Sequence, residues 1–376
     1  MSSLTSHRIA AAAARLDAGW SIVSGADSVC AASGHIVPIE TGASPFAGGP
    51  SLAIVGPDGA LHLVVSNLES AAAAATDADR VTEYIGFSAD RPEPYLEHYA
   101  AAVSSVIEAT GMRDRVAVEA DSLPWSVGEL LRTRGIAAVD GTAEFARARM
   151  IKAPAQLAAL RRSAALAALA QHTAVAAAEP GMSELELFST IRGAVESAAG
   201  ERVAFAGDLL SGIERTSKVG GWATGRRIEA DDMIVADLAP RVAGYWSDSC
   251  ATFVVGRATD RFARLHALAS TALHAGIDAA KPGVPVNEID RVVRSTIAAE
   301  GFEYGHHTGH GIGTSVHEFP RIIPGEDTPL ETGMVILLEP GVYEPGVGGV
   351  RLEWMFEVTD HGLERLTDFE HTLEPR

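Results

Sequence analysis

The chain has 376 residues, more than a single hydrophobic core usually supports, so its length predicts two domains. Its 49 acidic residues outnumber 30 basic ones, and the net charge of −19 argues against nucleic acid as a partner, because phosphate groups would be repelled. No apolar run reaches the roughly 18 residues of a membrane-spanning helix, so no membrane partner is expected. The only cysteines, Cys30 and Cys250, indicate free thiols in a reducing cytoplasm rather than a disulfide framework.

Residues 1–148 alternate helical and extended patterns, which predicts an α/β domain. A helix is expected over Ser6–Ala18. Two strands, Ser51–Val55 and Leu61–Val65, flank Gly56-Pro57-Asp58-Gly59, a composition typical of a hairpin turn. The later elements of this half are helices over Glu93–Thr110 and Trp125–Arg134 and a strand over Arg115–Glu119.

Three polar residues of this first half are candidates for lining a pocket: Asp27, His35 and Glu40. Isolated polar residues between apolar segments are more often solvated. We therefore expect all three at loop positions on the surface.

The composition changes near residue 148, where we place the domain boundary. After Pro154 a long helix is expected over Ala155–Ala178, and Pro180-Gly181 ends it. A second helix begins at Ser183. The remaining strands are expected over Met233–Leu238, Tyr245–Val255, Met334–Glu339 and Arg351–Thr359, and the helices over Asp260–Ala280 and Val286–Glu300. Strands mixed with flanking helices favour an α+β catalytic domain over residues 149–376.

Four carboxylates lie in or at the ends of these strands. Asp237 ends an apolar run, and Asp248 follows it across a hairpin expected near Pro240–Gly244, which would bring both carboxylates to one face. Glu339 and Glu353 repeat this arrangement further along the chain. One such acid is usually satisfied by backbone N–H groups, but buried acids need pairing or a metal ion. Four of them favour a site for divalent cations.

Histidines cluster between these acids, in Gly305-His306-His307-Thr308-Gly309-His310-Gly311-Ile312-Gly313. His310 would add a nitrogen ligand, and four carboxylates with one imidazole can hold two cations that activate water. The neighbouring His306, His307 and His317 would stabilise an oxyanion or transfer a proton. Three other kinds of site are excluded, because the sequence lacks the residues that they need. A phosphate-binding loop would need an adjacent Lys or Arg, a zincin would need a second histidine after His317-Glu318, and a serine hydrolase would need a Gly-x-Ser-x-Gly turn.

The same residues resemble the pita-bread metallopeptidase family, which includes Xaa-Pro dipeptidases (prolidases), Xaa-Pro aminopeptidases and methionine aminopeptidases. Met150-Ile151-Lys152-x-Pro154 and the preceding α/β unit are similar to the creatinase/prolidase branch, so the resemblance spans nearly the whole chain. The matching catalytic segments are Asp237…Gly244-Tyr245-x-Ser247-Asp248…Thr252, Thr308-Gly309-His310-Gly311-Ile312-Gly313…His317-Glu318, Gly333-Met334…Glu339-Pro340-Gly341 and Gly349-Val350-Arg351-x-Glu353.

The resemblance implies a creatinase-like domain over residues 1–148 and a pita-bread domain over residues 149–376, in a homodimer. It also implies two Mn²⁺, Co²⁺ or Zn²⁺ ions, with Mn²⁺ favoured. Asp248 and Glu353 would bridge the two ions, and Glu339 would double as the base for the bridging water. The implied metal ligands are Asp237, Asp248, His310, Glu339 and Glu353.

The resemblance further implies that His306 and His317 contact the substrate, whereas His307 falls where the family often has glycine, so we expect it to be a bystander. Arg351 is a candidate for orienting the substrate or a ligand carboxylate.

At three positions the sequence departs from the family pattern. Gly220 stands where prolidase-like members usually carry another histidine, Ala251 replaces an arginine, and Trp354 replaces an acidic residue. Because the ligand set is complete, we expect the substrate to be selected at these three positions.

These features predict a dinuclear metal-dependent hydrolase that cleaves a C–N amide bond in a small peptide-like or N-acyl amino acid substrate, as Xaa-Pro dipeptidases do. Creatinase lacks the metal ligands, so the intact set argues against a metal-free amidinohydrolase. The alternatives are a non-peptidase on the same scaffold, such as an ectoine-hydrolase-like amide hydrolase or a lyase, and a catalytically silent binding protein.

Overall fold

The computed structural model describes residues 4–37 and 49–375, so Glu40 lies outside the described residues. Contacts divide the chain into two compact units, Met1–Arg149 and Met150–Arg376. None of the described helices has both the length and the apolar surface needed to cross a membrane.

The described residues of the first unit form a six-stranded sheet between two layers of helices, with strand order β4-β3-β2-β1-β5-β6. Its strands are β1 (Trp20–Val23), β2 (Leu52–Val55), β3 (Leu61–Ser66), β4 (Arg80–Tyr84), β5 (Arg115–Val118) and β6 (Ala137–Asp140). Its helices are α1 (Leu4–Arg15), α2 (Ala26–Ser33), α3 (Ser70–Ala73), α4 (Tyr95–Thr110), α5 (Trp125–Thr133) and α6 (Thr142–Ala148).

Alternation along the strands explains the layers. Ile22 lies opposite Ile54 in the β1–β2 pair, and both pack in the apolar core that includes residues of α4 and α5. Their neighbours Val23 and Ala53 are also paired and lie in the other core, with residues of α1, α2 and α6. Successive side chains of a strand point to opposite faces, so a sheet apolar on both faces needs helices on both sides.

The hairpin predicted around Gly56-Pro57-Asp58-Gly59 is present, because β2 pairs antiparallel with β3. The expectation of a solvated loop position is wrong for His35. Its side chain is buried, and Nε2 lies 3.0 Å from a carboxylate oxygen of Glu69. Asp27 lies in the first turn of α2 rather than in a loop.

The second unit combines helices with three sheets. Its helices are α7 (Pro154–Ala177), α8 (Glu184–Ala199), α9 (Ile213–Thr216), α10 (Asp260–Ala279) and α11 (Val286–Ala298). Its strands are β7 (Ala204–Ser211), β8 (Met233–Val242), β9 (Tyr245–Trp246), β10 (Cys250–Val254), β11 (Gly309–Gly311), β12 (Glu318–Ile322), β13 (Val335–Leu338), β14 (Gly341–Glu344), β15 (Gly348–Arg351), β16 (Trp354–Thr359) and β17 (Gly362–Arg365).

One sheet has the order β10-β8-β7 with β9 paired to β8, a second has the order β12-β11-β13-β16-β17, and β14 pairs with β15. Helices α7 and α8 contribute to one apolar core, and α10 and α11 to another. This mixture of largely antiparallel sheets with flanking helices confirms the predicted α+β class.

The helix signals at the start of this unit act as expected. Ser183 Oγ accepts a hydrogen bond from the backbone N–H of Glu186 at 3.1 Å, and the Glu186 carboxylate accepts one from the Ser183 N–H at 2.7 Å. This reciprocal capping box satisfies two backbone donors that the first turn of a helix leaves free.

Several strands of the second unit differ from expectation, since the sequence does not predict β7, β11, β12, β14 or β17. The sequence predicts one strand over Tyr245–Val255, but the ladder is interrupted between Trp246 and Cys250. Asp248 lies in this interruption. The segment Ala204–Ser211, for which the sequence predicts no strand, forms β7 and pairs with β8.

Candidate metal centre

The candidate ligands come from different strands or strand ends of the second unit. Asp237 lies in β8, Asp248 precedes β10, His310 lies in β11, Glu339 follows β13, and Glu353 stands between β15 and β16. The region around β11 requires glycine, because a Cβ at position 309 would lie 1.9 Å from the carbonyl oxygen of Leu337. Glycine therefore lets the His310 strand approach β13.

A row of side chains crosses one sheet on the face that carries the ligands. Asp208 of β7 lies opposite Asp237 of β8, and Asp237 lies opposite Cys250 of β10. Cys250 in turn forms an antiparallel bridge with Glu353. Directly paired residues present their side chains on the same face, so strand pairing aligns Asp208, Asp237, Cys250 and Glu353.

Three of the expected ligands come close together in the interior. Asp248, His310 and Glu353 each offer a ligand atom within 4.8 Å of the others, and all three are buried. Burial, followed by the charges of neighbouring carboxylates, raises the pKa of both Asp248 and Glu353 well above the usual range. Two such acids would hold protons unless a cation compensated their charge, so they suit a divalent metal.

The imidazole of His310 has one nitrogen free for a metal. Its Nδ1 lies 2.8 Å from the carbonyl oxygen of Gly311, an acceptor, so Nδ1 donates and carries the proton. Burial lowers the pKa of His310 to about 4, so the ring is neutral at pH 7 and Nε2 presents a lone pair.

Glu339 lies among three histidines. His307 Nε2 is 2.7 Å from Glu339 Oε1, and His310 Nε2 is 3.6 Å from the same atom. Burial would raise the pKa of Glu339, but the imidazoles outweigh it and lower the pKa to about 2. Within the described residues Oε1 is buried, and the His307 nitrogen is its nearest donor. An ionised carboxylate oxygen in this state is suited to a cation.

The contact of His307 with Glu339 does not fit the expectation that His307 is a bystander. Its other nitrogen, Nδ1, accepts a hydrogen bond from Arg321 Nε at 3.3 Å. Nothing in the local sequence distinguishes His307 from a surface histidine. Only the pairing of β11 with β12, which sets His310 opposite Arg321, reveals its surroundings.

Asp237 is held by a guanidinium group. Arg351 Nε donates to Asp237 Oδ2 at 3.0 Å and Nη2 contacts the same oxygen, while Nη1 contacts the carbonyl oxygen of Val219. The Arg351 side chain is 5% exposed. Of its two expected roles, these contacts suit orienting a ligand carboxylate better than binding a substrate.

His306 belongs to a hydrogen-bonded chain that includes Tyr343, a residue not predicted from the sequence. Its Nδ1 donates to the carbonyl oxygen of His307 at 2.8 Å, so Nε2 accepts from the Tyr343 hydroxyl at 3.1 Å. That hydroxyl oxygen also accepts a hydrogen bond from Arg351 Nη1 at 3.3 Å. Burial lowers the pKa of His306 to about 4. His306 thus links the histidine cluster to Arg351.

His317 lies beside the ligand His310, with 4.4 Å between the ring centroids. His307, His310 and His317 also offer nitrogen atoms within 4.8 Å of one another. Burial, followed by the charge of His307, lowers the pKa of His317. The structure therefore brings together all five expected ligands and both expected catalytic histidines.

Two of the three positions expected to select the substrate pack elsewhere. Trp354 is buried, stacks on His371 with ring centroids 4.3 Å apart, and donates from Nε1 to the Phe369 carbonyl oxygen at 3.0 Å. Ala251 is buried in the same apolar core as Trp354. Each follows a residue of the ligand row, and neighbours in an extended chain point to opposite faces. The expectation of a substrate-selecting position is therefore wrong for Ala251 and Trp354.

Gly220 does lie at the site. A Cβ at this position would lie 2.7 Å from Asp208 Oδ2. Asp208 also accepts a hydrogen bond from Arg351 Nη2 at 3.3 Å. Asp208 is not among the residues predicted for the site, because the sequence does not predict β7. The sequence of β7 has no alternation of polar and apolar residues, so local composition does not single out Asp208.

Comparison with known proteins agrees with this geometry. Residues 15–151 match the Creatinase/Prolidase N-terminal domain. The second unit matches a family described as metallopeptidase family M24 over residues 158–360, more than half of the chain.

Among curated relatives, the chain is 34% identical to an Xaa-Pro dipeptidase of Pyrococcus horikoshii over 227 residues, which cover 60% of this chain and 64% of the relative. That match spans less than two thirds of the relative's length. A probable dipeptidase PepE of Mycobacterium bovis is 30% identical over 323 residues, 84% of this chain and 82% of the relative.

Among solved structures, the prolidase from Pyrococcus horikoshii has a TM-score of 0.80 at 26% identity, over 98% of this chain and 99% of that chain. The similarity in fold thus extends over both units. The protein belongs to metallopeptidase family M24, in the creatinase/prolidase branch.

Proposed function

We propose that the protein is a metal-dependent Xaa-Pro dipeptidase, which hydrolyses the amide bond before proline in a dipeptide. The observation that carries the proposal is the buried donor set of Asp248, His310 and Glu353 beside Glu339 and Asp237. Its relatives include proteins named Xaa-Pro dipeptidase and probable dipeptidase. Those names support the substrate class.

Two divalent cations would be held by Asp237, Asp248, His310, Glu339 and Glu353. When bound, they supply a Lewis acid for the scissile carbonyl and activate water. A site of carboxylates with a single imidazole can bind several metals. Among Mn²⁺, Co²⁺ and Zn²⁺, we propose Mn²⁺ as the bound ion.

Proton transfer falls to Glu339. Its carboxylate is ionised at pH 7, and in this proposal it accepts a proton from the attacking water. The same carboxyl group would return the proton to the departing nitrogen of proline.

The histidines have separate roles in this proposal. His317 would donate a hydrogen bond to the oxyanion that develops on the scissile carbonyl. His306 has its proton on Nδ1, which the His307 carbonyl accepts, so it acts by holding the Tyr343 hydroxyl. Arg351 orients Asp237. Exposed Arg321, near His307, can receive the carboxylate of a dipeptide.

The finer assignments follow from the family and the composition. We place the boundary between the creatinase-like and catalytic domains at residue 148, and we infer a homodimer. Both cysteines are buried and free, which fits a reducing cytoplasm.

The test is a substrate panel with protein stripped of metal and reloaded with Mn²⁺, Co²⁺ or Zn²⁺. Xaa-Pro dipeptides should be hydrolysed, whereas cyclic amino acid derivatives and N-acyl amino acids should not. His310→Ala should abolish hydrolysis, whereas His172→Ala, an exposed position on α7, should leave it unchanged. Failure to cleave any Xaa-Pro dipeptide with any of the metals would overturn the proposal.

A further inference from the structure

Asp208 is the most open carboxylate of the ligand-bearing face. Its side chain is 26% exposed, against 18% for Asp237 and 10% for Glu339. It is not one of the five candidate ligands, although it lies directly opposite Asp237 in the β7–β8 pair. Paired side chains on one face have Cβ atoms about 4.5–5.5 Å apart. Asp208 therefore places an additional negative charge beside the candidate metal centre.

The glycine at position 220 keeps this carboxylate uncovered. A Cβ there would lie 2.7 Å from Asp208 Oδ2 and 3.7 Å from Oδ1, so any side chain would displace or cover the group. Gly220 is itself exposed. The opening beside Asp208 thus depends on the absence of a side chain at position 220.

Arg351 fills only part of the hydrogen-bonding capacity of the Asp208 carboxylate. Its guanidinium contacts Asp237 through two nitrogen atoms, Nε at 3.0 Å and the closer Nη2, but reaches Asp208 through Nη2 alone at 3.3 Å. The backbone N–H of Gly221 also donates to Asp208. A carboxylate has about four acceptor positions, so Asp208 retains capacity for another donor.

The position matches the charged end of a dipeptide. The α-nitrogen of the first residue is two covalent bonds from the scissile carbonyl carbon, or about 2.5 Å away. A carbonyl placed over the ligand cluster therefore puts the α-ammonium group next to the ligand carboxylates. An ammonium group has three donors and can bridge two neighbouring acids.

We propose that Asp208, together with Asp237, binds the free α-ammonium group of the substrate and so selects dipeptides over N-acylated analogues. This inference rests on the proposed function, since it assumes that the scissile carbonyl lies at the metal centre. Asp208 is then a specificity-determining residue in the space that Gly220 leaves open.

Binding can be measured without hydrolysis by using a ketomethylene analogue of Ala-Pro, in which carbon replaces the scissile nitrogen, and its N-acetyl counterpart. Isothermal titration of the Mn²⁺-loaded wild type should show the free amine binding at least about tenfold more tightly, the range of a charge-assisted hydrogen bond. Asp208→Asn keeps the size and should reduce this preference to within about twofold. Asp208→Glu should restore part of it.

Glu214→Gln is the matched control, because it removes an exposed acid from the neighbouring helix α9 and should keep the wild-type preference. Equal weakening of both analogues by Asp208→Asn would show that Asp208 acts only through Arg351, and would overturn the inference. Failure of the wild type to bind the free amine, or an unchanged preference in Asp208→Asn, would overturn it as well.

The titration and an assay of Ala-Pro hydrolysis together separate this inference from the proposed function. Binding of the free amine that depends on Asp208, without hydrolysis of Ala-Pro, would support the inference and contradict the dipeptidase assignment. Hydrolysis of Ala-Pro with no effect of Asp208→Asn on amine preference would support the assignment and refute the inference.

Discussion

The ammonium group of Lys152 lies 2.6 Å from a carboxylate oxygen of Glu318, and only 3% and 1% of the two side chains are exposed. Glu318 follows His317 directly. Its other oxygen accepts hydrogen bonds from the Ser315 backbone N–H at 3.1 Å and from Thr314 Oγ1 at 3.3 Å. A residue at the start of the catalytic unit thus fixes the loop that carries His317.

Replacement of Lys152 by Met should destabilise the protein by about 3–5 kcal/mol, because it leaves the Glu318 charge buried without its partner. Urea unfolding measures the loss. Lys281→Met changes an exposed lysine and should stay within about 0.5 kcal/mol of wild type. The double variant Lys152→Met/Glu318→Gln should recover part of the loss, and equal stability of Lys152→Met and wild type would contradict the role of the ion pair.

Arg351→Lys should weaken metal binding about 10- to 100-fold, because a lysine cannot reproduce the contacts with Asp237, Val219 and Tyr343 that fix the ligand carboxylate. Competition with a fluorescent chelator gives the affinity. The control is Arg261→Lys, whose ion pair with Glu344 is partly exposed. Wild-type metal affinity in Arg351→Lys would show that Asp237 needs no such support.

Removal of metal should destabilise the protein more at pH 8 than at pH 5. Without a cation, burial raises the pKa of Asp248 and Glu353 above their unfolded values. The folded state then holds protons that the unfolded state has lost, so stability falls as the pH rises above about 4. Bound cations remove this loss, and metal at 100 times its dissociation constant adds about 2.7 kcal/mol.

Calorimetry of chelated and Mn²⁺-loaded protein should therefore show a difference in melting temperature that widens from pH 5 to pH 8. Asp248→Asn would reduce the pH dependence of the chelated protein, since amides do not titrate. A chelator without effect at pH 8 would argue against a cation at these carboxylates.

His371 should make the protein less stable in mild acid. Burial lowers the pKa of His371 to about 3, compared with 6.5 in the unfolded chain. As the pH falls below 6.5, His371 binds a proton in the unfolded state but stays neutral in the folded state. The stability present above pH 6.5 is therefore lost as the pH falls toward 3. The loss amounts to about 2 kcal/mol at pH 5.

Glutamine at position 371 can still donate to the Cys250 carbonyl, which lies 3.1 Å from His371 Nε2. His371→Gln should therefore flatten the change in unfolding free energy between pH 7.5 and pH 5. The exposed His361→Gln should follow the wild type. An unchanged slope in His371→Gln would mean that other groups dominate acid sensitivity.

Much of the fold is readable from local sequence. Alternating apolar residues and the Gly56-Pro57-Asp58-Gly59 turn predict the first hairpin, and Ser183 with Glu186 predicts a capped helix, because both signals act between neighbours in the chain. The interrupted strand around Asp248 and the strand β7 were not predicted. Both depend on which strand the segment pairs with, and pairing between distant segments leaves little trace in local composition.

The sequence by itself determined the family and the candidate ligand set, because Asp237, Asp248, His310, Glu339 and Glu353 each stand in a distinctive local motif of strand ends and glycines. It could also have excluded Trp354, since adjacent residues of an extended chain face opposite ways.

Only the tertiary structure decided which other groups surround those ligands. Strand register sets Asp208 opposite Asp237, folding sets Lys152 against Glu318, and the pairing of β11 with β12 brings Arg321 to His307. Such contacts join residues far apart in the sequence and depend on strand register, where a shift of one residue would move each side chain to the other face.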